Sequence, residues 1–310
     1  MQISRVSIFF LACFVNSVLA QTYSYNPAED VVGNISIHTI KEGDNFLQLA
    51  QIFRIGFNEL VDANPEVDPW IPEEDAQIII PTQYVLPNVE REGVIINLAE
   101  LRLYQFHGIV NDVATVSTYP VSVGKDDQWE TPLSYTRITS KIAKPNWYPP
   151  ESIRKEHEEN NDPLPKVVPP GPDNPLGDYK LGLALSGYLI HGTNVPEGIG
   201  MRVTHGCIRL HPTGIEKLFK SVEIDTPVTI VNQPYKVGWK DNKLYVETHS
   251  EIEEQEKASS RNLTEFVQLV VAQTKEKEKD RYKIFWERGY KEAREKRGIP
   301  FLMSLRDEKS

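Results

Sequence analysis

The residues best suited to chemistry lie in one stretch: Leu189-Ile190-His191-Gly192-Thr193, a loop, and then His205-Gly206-Cys207-Ile208-Arg209-Leu210. A cysteine attacks as its thiolate, which a neighbouring imidazole generates by taking the proton and holding the ion pair. The imidazole must itself be oriented, and the oxyanion formed on attack needs donors aimed at it. An apolar strand ending at His191 and a glycine-containing loop returning at Cys207, sixteen residues on, would bring imidazole and thiol into reach. Gly206 lets the backbone approach closely, and the amides of His205, Gly206 and Cys207 are candidate oxyanion donors. Two rival readings are weaker. His191, His205, His211 and Cys207 as zinc ligands suffer from poor bite geometry across Gly206, and the absence of Gly-x-Ser-x-Gly leaves a serine hydrolase unsupported.

The elements that would position these groups form a β-rich region from Gly93 to Asn232. Val94–Leu98 and Leu101–Phe106 read as a hairpin turning at Ala99-Glu100. Short strands fit 113–118, 121–123, 135–140, 181–185, 188–190 and 228–231, with one clear helix over Gly214–Lys220. Residues 145–178 contain nine prolines and little periodicity, which suits an irregular excursion forming one wall of a cleft. Residues 84–92 read as a linker. Upstream, Ile37–Ile40, a turn at Lys41–Asn45, helical spacing through Phe46, Leu49 and Phe53, a second helix over Phe57–Ala63 and a strand at Gln77–Ile80 predict a small βααβ module. Downstream of residue 233 the pattern predicts a hairpin turning at Asp241-Asn242, then one long charged helix from about Glu251 to Arg297.

The 310 residues carry 34 Lys+Arg against 44 Asp+Glu, a net charge of −10. That balance argues against nucleic acid as a partner. Met1–Arg5, the apolar run Val6–Val15 and the small residue at Ala20 have the form of a secretory signal peptide, with cleavage expected between Ala20 and Gln21. Acylation at Cys13 is disfavoured because apolar Phe14 and Val15 follow it. No other run is long enough to span a bilayer, so the expectation is an exported chain, periplasmic in a Gram-negative type of envelope. Removal of residues 1–20 leaves Cys207 as the sole cysteine, which excludes an internal disulfide.

Two stretches resemble known families. His191-Gly192 followed by Thr204-His205-Gly206-Cys207-Ile208-Arg209 is similar to the active-site signature of the L,D-transpeptidases, and the likeness covers about residues 93–232. It is supported by Tyr119–Lys125, Thr131-Pro132-Leu133, Pro145–Pro150 and Gly171–Gly177; Ser134 departs from the usual glycine. The resemblance implies a β-sandwich-like catalytic domain that needs no cofactor or metal. It makes Cys207 the nucleophile and His191 the base, with its ring held by the carbonyl of Gly192. His205 and the amides of Gly206 and Cys207 would form the oxyanion site, and Arg209 would steady the site or a substrate carboxylate. Trp147, Tyr148 and Thr193 are the substrate-contact candidates. The implied reaction is acyl transfer from peptidoglycan tetrapeptide stems through a Cys207 thioester, to a second stem, a lipoprotein or water. A catalytically silent wall-binding protein is the alternative.

Residues 36–82 resemble the glycan-binding LysM domain, through His38–Asp44, Asn58-Glu59-Leu60, Ala63-Asn64-Pro65 and Ile78–Pro81. That resemblance implies glycan contacts at Gly43, Asp44, Asn45, Asn64 and Trp70, although the acidic Glu66–Asp75 segment is longer than is usual. The expected whole is an α+β chain: signal peptide 1–20, LysM module 36–82, catalytic domain 93–232, and a hairpin with a long helix over 233–310.

Overall fold

A computed structural model describes residues 21–125, 129–250, 263–276 and 282–306. The signal-peptide expectation lies outside these residues. The chain opens with β1 (Gln21–Tyr25), which adds to the edge of a large sheet, and β2 (Val31–Gly33). β3 (Ser36–Thr39), α1 (Phe46–Phe53), α2 (Phe57–Ala63) and β4 (Gln77–Ile80) then form the βααβ unit, with β3 and β4 antiparallel. The side chain of Asn45 caps α1 by accepting from Gln48 N at 3.0 Å, and Arg54 ends the helix in a left-handed conformation. Glu59 closes the first turn of α2 by accepting from Gly56 N at 2.9 Å. The core of the unit is Ile40, Phe46, Leu49, Leu60, Ile78 and Ile80.

The segment expected to be a linker is instead structural. β5 (Gln83–Val85) pairs with β2, and Tyr84, Val85 and Leu86 are buried. This apolar run covers the Arg102 guanidinium, which lies 4.2 Å from the Tyr84 ring centroid.

The large sheet is built from β6 (Val94–Asn97), β7 (Arg102–Val110), β8 (Val113–Gly124), β9 (Ser134–Ala143), β10 (Tyr179–Leu183), β11 (Leu189–His191), β12 (Arg202–Thr204), β13 (Ile208–Leu210) and β14 (Pro227–Val231). Its strand order is β8-β13-β11-β10-β9-β14-β6-β7, and a further β7–β8 pairing closes the ring. Closure works because β8 and β9 are long enough to serve both layers. β7 pairs along Val113–Pro120 of β8, whereas β13 uses Val121 and Ser122 beyond them. Apolar residues alternate inward, among them Val94, Ile96, Leu103, Val121, Ile190, Ile208 and Val228. The segments 113–118 and 121–123, expected as separate short strands, are one strand, β8.

α3 (Glu151–Glu159) stands in the proline-rich excursion, where no helix was expected. Pro150 is compatible with a helix start, and the following Glu/Arg/Lys run has high helix propensity but no buried face, so apolar periodicity gave no signal. α4 (Pro212–Ser221) packs Ile215 and Leu218 on the ring.

The carboxy-terminal region corrects the long-helix expectation. β15 (Tyr235–Lys240) and β16 (Lys243–Thr248) form the hairpin, with Asp241 and Asn242 both at positive φ. α5 (Thr264–Glu276), β17 (Tyr282–Ile284), α6 (Trp286–Glu295) and β18 (Phe301–Arg306) follow. The strands pair in the order β15-β16-β18-β17. Tyr282–Ile284 pair with Ser304–Arg306, so sheet pairing overrides the helix propensity of the charged sequence.

A buried polar cluster joins this sheet to the ring. Lys236 Nζ lies 2.6 Å from Glu100 Oε2 and 3.0 Å from Glu247 Oε1. Tyr104 OH donates to Glu100 at 2.7 Å, and His249 Nε2 donates to Glu247 at 2.7 Å. Removing the ammonium would leave two buried carboxylates with hydrogen-bond donors but without the cation that bridges them. Lys236→Met should therefore lower the unfolding free energy by about 3–5 kcal/mol; urea denaturation of the two proteins side by side tests this, and a change under about 1 kcal/mol would contradict the pairing.

Candidate active site

The site forms where β11 and β13 run side by side. They pair in parallel, with Ile190 opposite Ile208 and His191 opposite Arg209. Parallel neighbours require a crossover of a dozen or more residues, and Gly192–Gly206 supplies it. His191 therefore ends one strand and Cys207 immediately precedes the other. Both border a cleft of about 790 Å³, also lined by Trp129, Tyr148, His205 and Arg209.

His191 is buried, and its Nδ1–H donates to the Gly192 carbonyl at 2.7 Å. This fixes the tautomer, so that Nε2 carries the free lone pair. Burial, with the Arg209 charge adding to it, pushes the imidazole pKa down to about 3 against the Gly192 hydrogen bond. Burial also raises the half-buried Cys207 thiol, while a Leu189 backbone hydrogen bond and Arg209 pull the other way. At rest the cleft thus holds a neutral thiol and a neutral imidazole. That differs from the preformed ion pair that the residue types suggest, because separating charge in a buried site without substrate is unfavourable.

The turn carrying Cys207 is braced from several directions. Gly206 has φ +94°, a conformation that favours glycine. Its carbonyl accepts from Thr131 Oγ1 at 2.8 Å, and the same hydroxyl accepts from Gly124 N at 3.0 Å. Thr204 Oγ1 donates to the Cys207 carbonyl at 2.7 Å. His205 Nε2–H donates to Glu156 Oε2 at 2.8 Å, and its ring meets Trp129 edge-on at 4.6 Å. Glu156 also pairs with Lys125 at 3.2 Å, which ties α3 of the excursion to the catalytic turn. Sequence reasoning missed Glu156 and Trp129, since neither falls in the signature. Thr131 was quoted as part of a motif, without a role.

Other expected residues divide. Trp147 is half-buried, Tyr148 is exposed, and both face the cleft. Trp147 exchanges backbone hydrogen bonds of 2.9 Å with Val168, and Asn174 Nδ2 binds the Pro145 carbonyl at 2.8 Å, which pins the excursion. Thr193 is a correction: it is buried, and its hydroxyl accepts from Val195 N at 2.9 Å within the loop turn. The Arg209 Nε has no hydrogen-bond partner among the described residues, and burial lowers the guanidinium pKa.

In the βααβ unit, Asn64 is also a correction. It is buried and bonds Leu60 O, Ile79 O and Ile79 N at 2.7–2.9 Å, locking α2 to β4. Asp44 accepts from His38 and from Lys41 N, each at 2.9 Å, and Asn45 is the α1 cap. Gly43 is exposed at φ +84°, and Trp70 and Ile71 are exposed. Among the described residues one other group could converge on a metal, Glu100, Glu247 and His249, but the Lys236 ammonium already stands between its carboxylates.

Comparison with known proteins decides the family. Residues 91–230 match the YkuD L,D-transpeptidase catalytic domain. The chain is 40% identical over 241 residues to the probable L,D-transpeptidase YcfS of Escherichia coli, covering 76% of this chain and 74% of that protein. The chain belongs to the L,D-transpeptidase family. It is also 36% identical over 247 residues to the probable L,D-transpeptidase YbiS (78% and 79% covered), and 37% identical over 271 residues to the probable L,D-transpeptidase ErfK/SrfK (84% and 83%), both of E. coli. These matches extend well beyond the catalytic domain. As in other members of the family, the chain is an enzyme, and no described helix is long and apolar enough to cross a membrane.

The charge state of this L,D-transpeptidase site is open to measurement. The unfolded His191 takes up a proton near 6.5 that the folded ring refuses until about 3. Its contribution to stability therefore falls as pH drops through that window. The His191 ring resonances should not titrate near 6.5 in an NMR pH series, and a midpoint there would contradict the neutral pair.

Proposed function

We propose that the enzyme is exported and acts on peptidoglycan tetrapeptide stems, forming crosslinks between third-position diamino acids through a thioester on Cys207. The observation that carries this reading is the parallel β11–β13 pairing, which brings His191 and Cys207 to one cleft with Arg209, whose Nε has no hydrogen-bond partner among the described residues. The Cys207 proton passes to His191 Nε2 as sulfur attacks the carbonyl of the third residue. The amides of Gly206 and Cys207 stabilise the oxyanion, and His205, whose Nε2–H is committed to Glu156, holds their turn rather than donating to the oxyanion. The C–N bond to the terminal D-alanine breaks, and His191 returns the proton to the departing amine. An acceptor amine then attacks the thioester, gives a proton to His191, and releases the thiolate, which takes that proton back. Arg209 is suited to a substrate carboxylate.

The signal-peptide pattern of residues 1–20 supports export to a periplasm. The LysM-like sequence of residues 36–82 supports a glycan-binding role for the module, with Gly43, Trp70 and Ile71 as its exposed surface. Tethering to glycan would raise the local concentration of stems without new contacts at the thiol. The domain division at residues 36–82, 93–232 and 233–310 is part of this proposal. The acceptor follows from the chemistry of the products. Purified disaccharide-tetrapeptide should yield a dimer by mass spectrometry, and Cys207→Ala should abolish it. A tripeptide without dimer would assign the acceptor to water, or to a lipoprotein peptide if adding one captured the acyl group. No release of D-alanine under any of these conditions would overturn the reading.

A further inference from the structure

The loop that joins base and nucleophile does not stand free above the catalytic ring. It is gripped by the βααβ module. Phe57 N and Asn58 N, at the start of α2, donate to the carbonyls of Ile199 and Gly200, each at 3.3 Å. Gly56 and Gly200 meet backbone to backbone: a Cβ on Gly56 would lie 3.0 Å from the Gly200 Cα, and one on Gly200 would overlap Gly56 and Phe57. Gly200 also has φ +86°. Met201 packs against the module's apolar core.

The opposite side of the loop is fastened to the ring. Ser122 Oγ donates to Gly198 O at 2.6 Å, and Arg202 donates to Leu98 O at 2.8 Å. β12 begins two residues after Gly200 and pairs with β8, and Thr204 at its end binds the Cys207 carbonyl. The helix that does the gripping is itself anchored in the ring. Glu59, which closes the first turn of α2, is ion-paired with buried Arg102 of β7. Burial is the largest single influence and works against the Arg102 charge, but Glu59 together with Tyr84, Tyr104 and Glu100 outweighs it and holds the guanidinium protonated well above its ordinary range. A continuous set of contacts thus runs from β7 through Glu59 and α2 to Gly200, β12 and Cys207.

We infer that the βααβ module is a working part of the active site: the Gly56–Gly200 contact positions the His191–Cys207 loop, and Gly56 and Gly200 are positioning residues for acyl transfer. This rests on the reading of Cys207 as the nucleophile. It assigns the module a role independent of any glycan it binds. A displacement of about 1 Å at a reacting atom costs up to about a hundredfold in rate, so a methyl group wedged between the two glycines, remote from the cleft, is expected to register at the thiol.

The test uses the full mature chain and the carbapenem imipenem as an acylating probe, followed by quenched intact-mass measurement across a pH series. The final acylated fraction counts competent molecules, and the rate constant reports on each competent site. Gly200→Ala adds both the clash and backbone strain, and should lower the per-site rate constant about tenfold or more, with a displaced pH profile. Gly56→Ala adds a tight 3.0 Å contact to the Gly200 Cα at an ordinary φ of −72°, which pushes the loop by a few tenths of an ångström without backbone strain; it should lower the rate severalfold, and it decides the matter if Gly200→Ala does not fold. Gly108→Ala supplies a control at φ +79° with open space around it, and should match the parent. Variants that react in smaller fraction but with the parent's rate constant and pH profile would overturn the positioning role. Failure of the parent itself to acylate would overturn the nucleophile assignment, and with it this inference.

Discussion

The parallel pairing of β11 and β13 is the constraint on which the rest of the molecule depends. Two short strands can bring a histidine and a cysteine sixteen residues apart into one site only if a long connection leaves and re-enters the sheet. The pairing is buried in the ring's core through Ile190 and Ile208. A one-residue slip of either strand would turn its side chains to the opposite face and take His191 or Cys207 out of the shared cleft. The surrounding ring, the helix α4 and the closing β7–β8 pairing keep that register single-valued.

Positioning the ends of the connection is the second task, and three separate parts of the chain share it. Thr131 and Thr204 hold the Gly206–Cys207 turn from within the catalytic region. Glu156 reaches His205 from the excursion. The βααβ module seats the middle of the loop against α2. Electrostatics complete the arrangement: burial keeps thiol and imidazole neutral at rest, and Arg209 biases the site toward the thiolate and against the imidazolium. Charge separation is thereby deferred until a substrate carbonyl accepts the developing charge.

That His191 and Cys207 share one cleft was legible because their residue types, glycines and spacing form one local signature. The βααβ order was legible too, from alternating and helical apolar spacing over Ile37–Ile80. What escaped reading lacked a local signal. Glu156 sits on a helix with no buried face, so periodicity was silent. Asn64 looked like a loop residue suited to a ligand, yet its amide serves the module's interior. Thr193 is similarly turned inward. The carboxy-terminal helix was overextended because Lys/Glu-rich sequence carries helix propensity, whereas the pairing of Tyr282–Ile284 with Ser304–Arg306 is a long-range choice that no window of sequence contains. Tyr84–Leu86 passed for a linker for the same reason: its partners, Arg102 and Glu247, are distant in sequence.

Acyl transfer by this route requires a covalent intermediate on the Cys207 sulfur. The decisive measurement is rapid acid quenching of the enzyme with disaccharide-tetrapeptide, followed by peptide mapping of the Cys207-containing fragment. The account predicts a mass increase equal to the disaccharide-tripeptide acyl group on Cys207, removed by hydroxylamine as a thioester should be. Turnover with Cys207 unmodified at every quench time, or an acyl group on any other residue, would contradict it.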